Sequence, residues 1–176
     1  MRRTTMLGLV ALALAGGGRL MAQQPQTGDQ LVVTAENLMA GDARHQAWAE
    51  GGGKETDVLP GDVVRFTLRF TNTTDQPVRD VVFSNPVPQG MRYVAGSAAA
   101  GSDSASITFS IDGGATYSTQ PMIEVTDENG RRRTVPAPPE SYTHVRWTVR
   151  DWVQPGAQVT AEFRAELPAP SDGPQQ

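Results

Sequence analysis

The sequence predicts an all-β fold in which two antiparallel sheets pack on a shared core. Three observations predict it. Several segments alternate apolar and polar residues with a period of two, and none sustains a long helical pattern. Turn residues recur every ~8–12 positions. The two most regular segments, Thr143 to Val149 and Ala157 to Leu167, each offer one apolar face, which calls for a second sheet against them.

Leu31 to Leu38 (LVVTAENL) is the first candidate strand. Ala40 to Thr56 lacks a two-residue period and contains Gly51-Gly52-Gly53. It reads as an excursion, in which Asp42 can cap a short helix through Trp48 before the glycines end it. Pro60-Gly61-Asp62 marks a turn. In Val63 to Asn72, the residues Val64, Phe66, Leu68 and Phe70 share one face; Arg65, Thr67, Arg69 and Thr71 share the other. The chain turns through Asn72 to Pro77. Val78 to Ser84 is the next strand, stopped by Pro86, Pro88 and Gly90, since proline has no N–H for a ladder. Met91 to Val94 and Ala105 to Ile111 follow, the second leading through Asp112-Gly113-Gly114 into Thr116-Tyr117-Ser118. Met122 to Val125 and Arg132 to Val135 flank Asp127-Glu128-Asn129-Gly130. Asn-Gly between β-rich runs predicts a hairpin, because both residues tolerate positive φ. Val145, Trp147 and Val149 share a face, as do Val159, Ala161, Phe163, Ala165 and Leu167, and Trp147 is expected at the centre of the core. The total is about seven to nine strands.

The first residues predict export. Arg2 and Arg3 precede the apolar run Met6 to Ala15, and Leu20-Met21-Ala22 supplies a small residue before Gln23, the pattern of a signal peptide cut after Ala22. The run is shorter than the ~20 apolar residues a membrane helix needs. The chain has 176 residues and no cysteine, so disulfides, thiolate metal sites and cysteine nucleophiles are excluded. The formal net charge is −4, and removing the leader, with Arg2, Arg3 and Arg19, makes it more negative. An acidic surface disfavours nucleic acid.

Three blocks of residues also carry a family resemblance. Val58 to Thr73 (VLPGDVVRFTLRFTNT), Val81 to Ser97 (VVFSNPVPQGMRYVAGS) and Ser110 to Tyr117 (SIDGGATY) follow one another in order, with Val145-Arg146-Trp147 and Pro155-Gly156-Ala157 closing. Together, over roughly Glu55 to Leu167, they resemble the DUF11 conserved-repeat domain of bacterial and archaeal surface proteins. The resemblance implies an immunoglobulin-like β-sandwich on an exported protein, and no activity, since that family has no common catalytic site. The domain occurs once here, which departs from the tandem arrangement usual in the family.

The chemistry-bearing residues form no recognisable site. Ser110, Asp112, Gly114, Thr116 and Tyr117 fit the spacing of an Asp-box, read here as a structural turn held by Asp112. His45 and His144 are too few for a histidine zinc centre, and alternation places His144 opposite Val145 and Trp147, toward solvent. Asp127, Glu128 and Asn129, or Asp80 with Asp151, are weak calcium candidates without the loop pattern of a calcium site. Lys54 follows the glycines outside any good strand, which argues against an isopeptide crosslink. Arg131-Arg132-Arg133 reads as a charged strand edge that blocks strand addition. No phosphate loop, serine-hydrolase elbow or zinc-helix motif is present.

The sequence therefore assigns no catalytic, cofactor-binding or metal-ligating residue. Residues 1–22 read as a signal peptide, 23–30 as a disordered leader, and 31–57 as the first strand and excursion. Residues 58–168 read as the immunoglobulin-like sandwich (31–168 if the first strand pairs within its own domain), and 169–176 as a polar tail. The expected function is a non-enzymatic structural or adhesive module, periplasmic, at the cell surface or extracellular, with a protein or cell-surface partner and no transmembrane segment after cleavage. One alternative is a filament subunit that self-associates by adding residues 31–38 to a neighbour's sheet. Another is a secreted carbohydrate-binding domain using Trp48, Trp152 or Tyr142 as a stacking platform.

Overall fold

The computed structural model describes residues 30–169 apart from residue 55. The signal peptide, most of the leader and most of the tail expected from the sequence lie outside the described residues.

Among the described residues the chain forms β1 (Leu31–Asn37), α1 (Ala43–Glu50), β2 (Val63–Thr71), β3 (Val81–Pro86), β4 (Arg92–Tyr93) and β5 (Ala99–Ala100). It continues through β6 (Ala105–Ser110), β7 (Met122–Thr126), β8 (Arg132–Pro136), a 3-10 turn (Pro139–Ser141), β9 (His144–Val149) and β10 (Gln158–Glu166). Among the described residues the fold is all-β with one α-helix. Its ten strands exceed the expected seven to nine, because two-residue strands such as β5 carry too little pattern to be read from sequence.

The larger sheet has the order β1-β2-β10-β4, with β5 also on β10; the smaller has the order β3-β9-β6. Every pairing is antiparallel. The two sheets share one core because alternation delivers their apolar faces to the same side. Val64, Phe66, Leu68 and Phe70 of β2 and Val159, Ala161, Phe163 and Ala165 of β10 meet Val81 and Phe83 of β3 and Val145, Trp147 and Val149 of β9. Phe66 and Phe163 are register partners and stack at 5.0 Å; so do Phe83 and Trp147, at 5.8 Å. Trp147 reaches across to Phe163 of the other sheet, 6.1 Å between ring centres. Its indole N–H, which would be costly to bury unpaired, donates to the Ala99 carbonyl at 2.9 Å. Each fully buried aromatic contributes about 1.5–3 kcal/mol.

Strand β1 pairs with β2 along its whole length, from Leu31 opposite Phe70 to Asn37 opposite Val64. The first strand is thus part of its own domain. It stands at the end of the larger sheet, so its outer edge has no partner strand among the described residues. Pro86 ends β3 at an edge of the smaller sheet, where a missing N–H costs no ladder bond.

Strands β7 and β8 form a two-stranded sheet of their own. The hairpin is where the sequence puts it, but the turn differs from expectation. Gly130 has positive φ (75°) and Asn129 does not. The Asp127 carboxylate accepts from the Asn129 and Arg131 N–H groups, and the Gly130 N–H donates to the Asp127 carbonyl. One left-handed glycine closing a longer turn replaces the two-residue Asn-Gly turn.

Candidate functional site

The excursion between β1 and β2 carries the densest polar cluster. Asp42 caps α1, accepting from the Arg44 and His45 N–H groups at 2.9 and 3.0 Å. Gly51 and Gly52, the latter at φ 93°, end the helix after two turns. That short helix points Arg44 and His45 at the Pro60-Gly61-Asp62 turn. The fully buried Asp62 carboxylate receives four donors: Asn37 Nδ2 at 2.7 Å, His45 Nε2 at 2.7 Å and the Leu59 N–H at 2.8 Å on Oδ2, and Arg44 Nη2 at 2.8 Å on Oδ1. Arg44 also holds the Pro60 carbonyl at 2.8 Å. Burial alone would raise the Asp62 pKa. The hydrogen bonds from Leu59, Asn37 and His45 outweigh it, so the carboxyl stays below the ordinary aspartate value.

A buried histidine on a buried carboxylate is also the core of acid–base machinery. Here the second imidazole nitrogen is closed off. His45 is 2 % exposed, and its Nδ1 is buried with no hydrogen-bond partner among the described residues. With Nε2 committed to Asp62 and Nδ1 sealed, the pair acts as a clasp that fastens the excursion to the sheets. Neither the Asn37–Asp62 spacing nor the His45–Asp62 spacing is a local pattern, so no motif announces the cluster; Asp62 stands out only as part of a turn.

A second polar cluster lies over the outer face of the smaller sheet. Asp112 accepts from Thr116 Oγ1 at 2.6 Å, the Thr116 N–H at 2.9 Å and Ser110 Oγ at 2.7 Å. Those bonds, the Thr116 hydroxyl first, hold its carboxyl far below the usual carboxylate range. Ser110 Oγ in turn accepts from the Gly114 N–H at 2.9 Å, which requires the left-handed conformation of Gly113 and Gly114 (φ 73° and 90°). The Asp-box residues therefore build the hairpin expected of them. Its tip folds back over β9. Tyr117 lies against Arg146, with the guanidinium carbon 3.4 Å from the ring centre. Gly114 packs near His144, and a Cβ there would meet the imidazole at 3.4 Å.

His144 consequently departs from expectation. Alternation places it outward, but it is only 8 % exposed. The hairpin covers what strand periodicity alone leaves in water. Burial, aided by the Arg146 charge and partly opposed by Asp112, pushes its pKa below the ordinary histidine value.

Tyr142 is corrected as a stacking candidate. It is half-buried, stacked on Phe109 at 4.6 Å and Tyr93 at 5.5 Å, and burial raises its hydroxyl pKa. Trp48 is 47 % exposed, yet its Nε1 donates to Asp57 at 2.8 Å and its ring covers Gly53, so it pins the glycine loop to the helix. Trp152, 59 % exposed, packs against the Arg79 guanidinium at 5.4 Å.

The calcium candidates do not converge. Asp127 is engaged by its own turn and by Arg133 at 3.0 Å; Asp80 pairs with Arg79 at 3.0 Å, and Asp151 accepts from Ser102 at 3.0 Å. No group of three or more His, Asp or Glu side chains is placed to hold a metal among the described residues. Lys54 is exposed. No helix among the described residues is long and apolar enough to cross a membrane.

Comparison of the chain with protein-family models, with curated proteins and with solved structures gives no match.

Proposed function

We propose that the chain is an immunoglobulin-like β-sandwich of the DUF11 kind that serves outside the cytoplasm as a non-catalytic structural or adhesive module. One observation carries this reading: the side chains that resemble catalytic machinery are occupied in holding loops. His45 and Asp62 are closed against each other, and Asp112 is saturated by its own turn. What remains open to a partner is strand surface, the β7–β8 hairpin and the outer edge of β1. Export rests on Arg2, Arg3 and the apolar run from Met6 to Ala15.

The pairing of β1 within its own chain favours a monomer over a filament built by strand exchange, since seven residues would have to leave β2 first. The test is fractionation of cells that make the protein, with N-terminal sequencing and electron microscopy of the purified product. The reading expects single particles from a non-cytoplasmic fraction, beginning at Gln23. Cytoplasmic protein that retains Met1 would remove the export claim, and regular fibres would replace the monomer with the strand-addition subunit.

A further inference from the structure

Among the described residues, strands β7 and β8 pair only with each other and belong to neither sheet of the core. Of their side chains only Ile123 and Val135, which stand opposite each other, escape full exposure. A two-stranded hairpin without a third strand is marginally stable in water. Its ion pairs add little, because they are open to solvent: Arg132 is 81 % exposed where it meets Glu124 at 3.9 Å, and Arg133 is 65 % exposed where it meets Asp127 at 3.0 Å. The hairpin therefore opens far more readily than the strands that carry the core.

This hairpin carries Arg131, Arg132 and Arg133, all exposed. The other basic residues among those described fall into two groups. Arg65, Arg69, Arg92, Arg146 and Arg164 lie in strands of the two sheets, and Arg44 lies in α1, bound to Asp62. Lys54, Arg79 and Arg150 lie outside strands and helices, but each precedes an acidic residue: Glu55, Asp80 and Asp151. An endopeptidase that selects a basic residue holds it with a carboxylate. An acidic residue across the bond meets that cleft with like charge. The bonds after Arg131, Arg132 and Arg133 lead instead to Arg132, Arg133 and Thr134. The outer edge of β8 has no partner strand among the described residues, so its extended backbone can enter a cleft by strand addition. A break there leaves the core whole: β10 stays paired with β2, and β9 with β3 and β6.

We propose that Arg131-Arg132-Arg133 is a proteolytic processing site, cut by an endopeptidase that selects consecutive arginines, and that the cut domain persists as two chains on one core. Water adds across the broken peptide bond: the arginine carbonyl becomes a carboxylate, and the nitrogen of the next residue leaves as an ammonium group. The inference goes beyond the structural or adhesive role and does not depend on export.

The test is limited digestion of the full chain with trypsin under native conditions, with breaks scored by mass from residue 30 on. The first break is expected after Arg131, Arg132 or Arg133. The two fragments should then co-elute, and the Trp147 indole N–H should stay protected from exchange. The triple variant Arg131→Gln/Arg132→Gln/Arg133→Gln should slow loss of the unbroken chain by at least about tenfold, since the next sites need rarer opening or carry an acidic neighbour. A chain in which Asn-Gly replaces Glu124 to Thr134 should resist as well. A first break at Lys54, Arg79 or Arg150, fragments that part or unfold, or variants cut as fast as the parent would each overturn the proposal. N-terminal sequencing of the protein from the cells that make it reads processing in place. A second sequence starting at Arg132, Arg133 or Thr134 is expected there, and an unbroken chain alone would overturn the processing role.

Discussion

Replacing Asp62 by asparagine tests the clasp with almost no change of shape. The carboxylate takes three donors on Oδ2, from Asn37, His45 and Leu59, and Arg44 on Oδ1. An amide offers one acceptor. If its oxygen replaces Oδ2, the NH2 faces the Arg44 guanidinium; if flipped, the NH2 faces three donors. Removing one partner of a buried pair costs about 3–5 kcal/mol. Arg44 is half exposed and can turn to water, so the lower end applies, about 3 kcal/mol. For a domain this size that lowers Tm by about 6–12 °C. The assay is urea unfolding, with amide exchange to locate the loss in α1 and the glycine loop. The acid limb carries a second signature. The folded pKa of Asp62 lies below its ordinary 3.8, so its contribution is complete above that value and lost as pH falls through the lower folded one. Asp62→Asn should flatten that part of the profile. A loss under about 1 kcal/mol, or exchange in α1 no faster than in the parent, would refute the clasp.

Other perturbations separate the remaining parts. Gly53→Ala drives a Cβ into the Trp48 indole and should cost about 1–3 kcal/mol, with a shifted Trp48 indole N–H resonance as the indole leaves Asp57. Asp112→Ala removes the acceptor for Thr116, so the Thr116 amide should exchange rapidly while core amides of β9 stay protected. Replacing Glu124 to Thr134 by Asn-Gly joins the paired residues Ile123 and Val135. Tm should change by no more than about 2–4 °C, because the hairpin forms a sheet of its own; a larger fall would show that it supports the core.

Much of the fold was legible because strand alternation is local. Val64, Phe66, Leu68 and Phe70 announce their buried face without reference to any other segment, and so do Val145, Trp147 and Val149. Asp42 and the three glycines likewise bracket a helix from nearby residues. The clusters were not legible, because they join segments far apart in the chain. His45 meets Asp62 only after the excursion folds back, and His144 is covered only because a hairpin from β6 crosses over it. Periodicity assigned His144 to the correct side of its strand and missed what lay on top.

β9 and β10 lie in different sheets, with their faces sealed together at Trp147 and Phe163. Nuclear Overhauser contacts between the Trp147 indole and the Phe163 ring measure that directly, since the ring centres are 6.1 Å apart. Strong contacts, together with a Trp147 indole N–H protected from exchange by its bond to Ala99, are the predicted result. Absence of those contacts, with rapid exchange at the Trp147 indole, would contradict the two-sheet core and every site built on its surface.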